Sequence, residues 1–406
     1  MSKFVPHPLM ILLVLNLAGC AREESATAPR ITPLSAVAAF GSAEPHLAMS
    51  AGGNVVMSWL EPRGDGVVLK WSQLNDTRWS DPISVASGSD WFVNWADFPS
   101  VEPIDTDLWA AHWLVKRPGG TFAYDVAIAI SADGGQTWGQ PVTPHEDGTP
   151  TEHGFVSLFP GDDGVAALWL DGRNMQPSVD GHGHGGMTLR SAVVSPVGDL
   201  GHKAVVDELV CDCCQTDVTL TSSGPVAVYR NRTEGEIRDI YVARLENGQW
   251  HAGVPVAEDG WEIAGCPVNG PAIDANEDDV AVAWFTAAKG DTKVRFARSA
   301  DAGKSFGAAI DIATDRPIGR VDTVLLEDGS ALVSWLRSAN GSEGEICIQH
   351  VKADGKLGDE IVVATTAAGR MSGFPQMALQ GKTVVVAWTD VVDEATQVRT
   401  ARVEVP

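Results

Sequence analysis

A short apolar run that ends in an aromatic residue occurs seven times, and it constrains this chain more than any other feature. It first reads Val55-Val56-Met57-Ser58-Trp59. It returns over Leu108 to Trp113, Val165 to Trp169, Val226 to Tyr229, Val280 to Trp284, Ala331 to Trp335 and Val384 to Trp388. The aromatic positions 59, 113, 169, 229, 284, 335 and 388 are spaced by 54, 56, 60, 55, 51 and 53 residues. A unit of this size cannot bury its apolar face alone and must stack on its neighbours, as the blades of a β-propeller do. The runs are rich in Val and Ala and are bounded by Gly, Asp or Asn, which suits strands covered on both faces. The seven aromatics are therefore expected as wedges between blades rather than as site residues.

Four short strands can be placed in each repeat. The second repeat runs from Asp97 to Pro144, the third from Glu152 to Glu208 and the fourth from Cys213 to Glu258. The fifth runs from Cys266 to Thr314 and the sixth from Arg320 to Thr366; the seventh starts at Phe374 and has room for only three strands. The missing strand is expected at the other end of the chain, where Ile31 to Ala38 resembles the outer strand Asp81 to Ala86. Pairing it with the last three strands closes the ring and leaves no open interior edge. The expectation is an all-β, seven-bladed propeller over residues 31–406, with an N-terminal strand completing the last blade. The third repeat is the longest, and its excess between Asp171 and Met187 marks one face as functional.

The net charge of −24 argues against non-specific binding to nucleic acid or to anionic lipid. Leu9 to Leu17 is apolar but too short to span a bilayer as a helix. Leu17-Ala18-Gly19-Cys20 follows it and resembles a bacterial lipobox. The resemblance implies removal of residues 1–19, lipidation of Cys20, a polar tether over 20–30 and a membrane anchor. Ala21 after the lipidated cysteine implies an outer-membrane lipoprotein facing the periplasm.

Ser131-Ala132-Asp133-Gly134-Gly135-Gln136-Thr137-Trp138 matches the Asp-box pattern S-x-D-x-G-x-T-W, and Ser299 to Phe306 matches it with Ser for Thr and Phe for Trp. Asn247 to Trp250 and Asn75 to Trp79 look like eroded copies. The pattern reads as a tight hairpin in which the Asp carboxylate accepts backbone N–H groups and Gly tolerates the turn dihedrals. On these motifs the chain resembles the sialidase-like (BNR, Asp-box) propeller superfamily. In that family the Asp-boxes are structural, while the chemistry uses three arginines, a Tyr backed by a Glu, and an Asp. The early Arg-Ile-Pro motif is absent here; Arg30-Ile31-Thr32-Pro33 is a loose echo. Tyr124, Tyr229 and Tyr241 are the only tyrosines, and none stands at a position expected for a nucleophile. Asp97, Arg320 and Arg370 fall just before inner strands. They form the alternative site, a sialidase-type glycoside hydrolase acting on an anionic sugar.

Four connections on adjacent blades, expected on one face, gather unusual residues. They carry Glu152-His153, the glycine-rich segment with His182 and His184, Cys211-Asp212-Cys213-Cys214, and Gly265-Cys266-Pro267. Cys347 alternates with Ile346 and Ile348 and is expected to be a lone buried thiol. Cys211, Cys213, Cys214 and Cys266 can form disulfides in an exported protein. With His153, His182 and His184 they can instead supply thiolate and imidazole to copper or zinc. The leading expectation is a binding or redox module with such a transition-metal site. A protein-interaction scaffold braced by disulfides is the third reading, since propellers serve many unrelated functions. Trp91, Trp95 and Trp261 are candidates to wall the site or to stack on a sugar.

Overall fold

The computed structural model describes residues 1–3, 30–175 and 185–404. Among these, strands form seven small sheets, each the blade of a seven-bladed β-propeller. Blade one is built from Ala43–Met49, Val55–Arg63, Gly66–Asn75 and Ile83–Gly88, and blade two from Ser100–Pro103, Trp109–Lys116 and Tyr124–Ser131. Blade three comprises His153–Gly161, Gly164–Asp171, Met187–Val194 and Leu200–Val210. Blade four comprises Asp217–Thr221, Gly224–Arg230, Ile240–Glu246 and Gln249–Pro255. Ala272–Asn276, Asp279–Thr286, Lys293–Ser299 and Ile310–Ala313 make blade five, and Pro317–Leu325, Ala331–Asn340, Glu343–Val351 and Leu357–Ala367 make blade six.

Blade seven joins Gln376–Gln380, Thr383–Val392 and Ala395–Glu404 to the N-terminal strand Ile31–Pro33. Ile31 pairs with Val403 and Pro33 with Ala401, so the expected closure is present, over a shorter strand than Ile31 to Ala38. Blade two departs from the four-strand expectation. Its outer strand is reduced to a bridge between Ile128 and Val142, where Pro141 and Pro144 flank the bridging residue and remove ladder donors.

The seven recurrent aromatics are all buried, from 0% exposure at Trp59, Tyr229 and Trp335 to 8% at Trp388. Their polar atoms are anchored at carboxylates in several blades. Trp59 Nε1 donates to Glu61 at 2.7 Å, Trp169 Nε1 to Asp171 at 2.9 Å, Trp284 Nε1 to Asp259 at 2.7 Å and the Tyr229 hydroxyl to Asp207 at 2.6 Å.

Around the axis, successive blades are clipped together by aspartates. Asp217 accepts from the Ile273 N–H at 2.9 Å, Asp274 from Leu325 at 2.7 Å and Asp322 from Met377 at 2.5 Å, each from the inner strand of the next blade. Each also caps the N–H of its own following residue. Burial raises these carboxyls to about 7, about 6 and about 8 respectively.

The Asp-boxes fold as their sequence implies. Asp133 Oδ1 accepts from the Thr137 N–H at 2.8 Å, and Asp301 Oδ1 accepts from the Ser305 N–H at 2.9 Å. Gly135 takes φ +78°, and a Cβ there would lie 2.8 Å from the Trp109 ring, which explains the glycine.

Candidate functional site

The connection from blade three into blade four carries the densest chemistry. Cys211 follows the outer strand of blade three, and its N–H donates to the Arg230 carbonyl at 3.0 Å. The chain then turns tightly enough to bring three thiols together. Cys211 Sγ is 3.9 Å from Cys213 Sγ and 3.5 Å from Cys214 Sγ, and all three sulfurs lie within 4.8 Å of one another. Cys211 is 1% exposed, Cys213 9% and Cys214 2%. Three sulfurs bound to one ion at about 2.3 Å stand roughly 3.8–4.0 Å apart, so the observed spacing needs only small adjustment to hold a metal.

Two buried arginines frame this loop. Arg230 donates to the carbonyls of Asn269, Phe285 and Arg238 and lies over the Trp261 ring at 4.8 Å. Arg238 Nη1 reaches Cys211 Sγ at 3.3 Å and Asp212 Oδ1 at 2.8 Å, while its Nη2 pairs with Glu236 at 2.9 Å. Burial resists ionisation of Cys211. Hydrogen bonds from the Cys213 and Cys214 thiols and the charges of Arg238 and Arg230 outweigh it and hold Cys211 well below the ordinary thiol range. The same hydrogen bonding keeps Cys213 protonated, and burial does so for Cys214.

Cys266, on the neighbouring connection into blade five, is exposed. Its Sγ lies 3.8 Å from Asp212 Oδ2, and Asp212, Cys213 and Cys266 form a second convergent set within 4.8 Å. Close packing holds the two connections together. Gln215 donates to the Ala96 carbonyl and accepts from the Gly270 N–H at 2.9 Å, and a Cβ on Gly270 would lie 2.4 Å from the Gln215 carbonyl.

His153 does not share in this cluster. It is fully buried and stacked on His145 at 3.7 Å with the rings 6° apart. Its ring nitrogens face the carboxylates of Asp125, Asp147 and Asp171 rather than sulfur. The two histidines instead converge with carboxylates: ligand atoms of Asp125, His145 and His153 lie within 4.8 Å of one another, as do those of Asp147, His153 and Asp171, and Asp147 and Asp171 also hold Arg173. Burial lowers His145 to about 4. His182 and His184, like Cys20, lie outside the described residues.

The residues of the alternative sugar site separate into two groups. Asp97 is buried, accepts from the Phe155 N–H at 2.7 Å, and receives the Tyr124 hydroxyl at 3.0 Å. That hydroxyl also lies 2.7 Å from Glu152 Oε1. Burial raises Asp97 to about 7 and Glu152 to about 8, the latter helped by Asp97, Asp212 and Cys266. No tyrosine stands at a position expected for a nucleophile, yet Tyr124, the first residue of its strand, places its phenol between two acids. Arg320 and Arg370 flank Trp95, at 4.7 Å and 6.0 Å from its ring. Arg320 is buried and already bound to Ser372 Oγ and the Gly373 carbonyl, whereas Arg370 is exposed. Burial, then Arg370, lowers Arg320 to about 10.

Trp91 stacks on Trp113 at 5.1 Å and Trp261 packs beneath Arg230, so both are buried core residues, while Trp95 remains half-buried. Cys347 is the buried lone thiol its alternation implied. Sequence reasoning passed over Arg230, Arg238 and Asp212. The cations lie 19 and 27 positions after Cys211 in the chain, and only the pairing of blade four brings them back to it.

No protein-family profile matches the chain, and comparison with curated proteins finds no match. Solved structures do match. An endosialidase of phage phi92 aligns over 93% of this chain and 69% of its own, at 7% identity and a TM-score of 0.52. An ulvan lyase from a polysaccharide lyase family aligns over 91% of this chain and 95% of its own, at 11% identity and a TM-score of 0.52. A protein of unknown function from Dyadobacter fermentans aligns over 93% of this chain and 98% of its own, at 15% identity and a TM-score of 0.50. The chain shares the β-propeller fold with these proteins. At such identities the likeness defines the architecture, and function rests on the site.

Proposed function

We propose that the protein is a cell-envelope binding module whose blade-four connection takes one thiophilic metal ion through Cys211, Cys213 and Cys214. The observation that carries this reading is the convergence of three buried sulfurs beside the buried cation of Arg238. Thiolates suit copper(I) or zinc. Three sulfurs alone favour copper(I), which accepts fewer ligands; zinc would need a fourth, for which Asp212 and Cys266 are the nearest donors. The cations offset the charge that three thiolates would build up in a buried pocket. The lipobox-like Leu17 to Cys20 supports an anchored, periplasm-facing protein.

Metal content by mass spectrometry tests this, on the mature chain starting after Cys20, purified anaerobically without chelators. About one equivalent of copper or zinc, lost in Cys211→Ser and Cys214→Ser, is expected. Metal-free protein with these cysteines in disulfides would overturn the reading and favour a disulfide-braced scaffold.

A second reading is favoured by the Tyr124 hydroxyl held between Glu152 and Asp97, and by the half-buried Trp95, two residues before Asp97 in the chain, flanked by two arginines. This is glycoside hydrolysis of an anionic sugar. Turnover of a fluorogenic sialoside, abolished by Tyr124→Phe and reduced by Arg370→Ala, would support it; no turnover by the metal-free and metal-loaded protein would remove it.

A further inference from the structure

The inner thiols are buried, so an ion from solvent or from a carrier cannot meet them first. Cys266 is the exposed member of the group. It sits with Asp212 and Cys213 in a set whose ligand atoms lie within 4.8 Å, and Cys213 also belongs to the inner set with Cys211 and Cys214. Cys213 is the least buried of the inner three, at 9% exposure, and so stands between the two sets. Arg238 Nη1 touches both, contacting Asp212 Oδ1 at 2.8 Å and Cys211 Sγ at 3.3 Å.

We propose that Cys266 and Asp212 form a receiving position, and that Cys213 hands the ion from this position to the inner thiols. This rests on the metal-binding reading above and adds to it a direction of entry. In the outer complex the ion is bound by Cys266 Sγ and Cys213 Sγ, with an Asp212 carboxylate oxygen beside them. Cys211 Sγ then bonds to the ion, any proton it carries leaving to solvent, and the bond to Cys266 breaks. Cys214 Sγ bonds next as its proton leaves to solvent; the protons of Cys266 and Cys213 leave to solvent when the outer complex forms. Cys266 is reprotonated from solvent, and the oxidation state of the ion does not change. Cys211 replaces Cys266 and Cys214 then adds, so the ion keeps at least two sulfur ligands throughout.

The test is anaerobic stopped-flow transfer of copper(I) from its coloured bicinchoninate complex to the mature chain. It compares wild type, Cys266→Ser and Cys211→Ser. For Cys266→Ser the expected result is unchanged stoichiometry, affinity within about threefold of wild type, and a transfer rate at least about tenfold lower. Cys211→Ser should lose the tight site itself. Transfer to Cys266→Ser at the wild-type rate would overturn the proposal. So would loss of the ion as complete as in Cys211→Ser, which would make Cys266 a resident ligand. A wild-type chain that takes up no ion would instead refute the metal-binding reading, a distinct result. Alkylation of wild type loaded with one equivalent of copper(I) is a second measure. Cys266 should react at the metal-free rate while Cys211, Cys213 and Cys214 are protected, and protection of Cys266 would overturn the relay.

Discussion

Replacing Arg238 should change the ionisation of Cys211 more than any other single substitution that leaves the thiols in place. Arg238 Nη1 is 3.3 Å from Cys211 Sγ, and its side chain is 4% exposed. At an effective dielectric near 20, unit charges at this distance attract by about 5 kcal/mol. Water entering the vacated space offsets part of this, and charge-assisted hydrogen bonds contribute about 1.5–3 kcal/mol net. Arg238→Met should therefore raise the Cys211 midpoint by about 1–2 pH units. Removing the cation disfavours the thiolate, so copper(I) affinity at neutral pH should fall by about tenfold. The assay is thiolate absorbance in the far ultraviolet against pH, with the Cys211→Ser curve subtracted. Arg238→Lys keeps a charge but lacks the planar fork that reaches Cys211, Asp212 and Glu236 together, and should recover part of the shift. A Cys211 midpoint unmoved in Arg238→Met, in a protein of unchanged circular dichroism, would refute the electrostatic account of this pocket.

Asp217, Asp274 and Asp322 have carboxyls raised by burial, so the folded state holds their protons more tightly than the unfolded chain does. Their stabilisation is full below about pH 4 and is lost as pH rises through about 6 to 8. The melting temperature should fall across that window, and Asp322→Asn should flatten the fall; a melting temperature that rises there would contradict the assignment. Trp335→Ala removes a fully buried wedge between blades and should cost about 3–5 kcal/mol, read by denaturant unfolding. Gly135→Ala, at φ +78° and against the Trp109 ring, should destabilise by about 1–3 kcal/mol; a neutral effect would mean the Asp-box turn relaxes freely.

The propeller was legible because its signal is periodic and local. A Val- and Ala-rich run ending at Trp59 or Trp284 needs no knowledge of its partners to be read as a central blade strand, and seven such runs fix the blade number. The closing strand was legible because the seventh repeat is one strand short. Its length was not, since only Ile31–Pro33 pair with the C-terminal strand as a ladder, followed by one further bond from the Leu34 N–H to the Thr400 carbonyl at 2.9 Å. The missing outer strand of blade two was likewise hidden, because a proline-flanked bridge at Val142 and a strand look similar in sequence.

The site was legible in part for a reason that bears on how it works. Cys211, Cys213 and Cys214 are adjacent in sequence, so their convergence is set by one turn and shows as a motif. His153 also lies on a connection at the functional face, yet its ring is claimed by His145 and three aspartates, a competition that spacing does not reveal. Arg238 and Cys266 come from other connections and reach the thiols only through the packing of blades four and five. That division matches the two tasks of such a pocket. In the proposed metal site, sulfur donors supplied by one turn would fix the geometry of the inner position. Groups supplied by neighbouring connections set its charge and its access, and substitutions at Arg238 or Cys266 should alter these while the inner sulfur geometry stays in place.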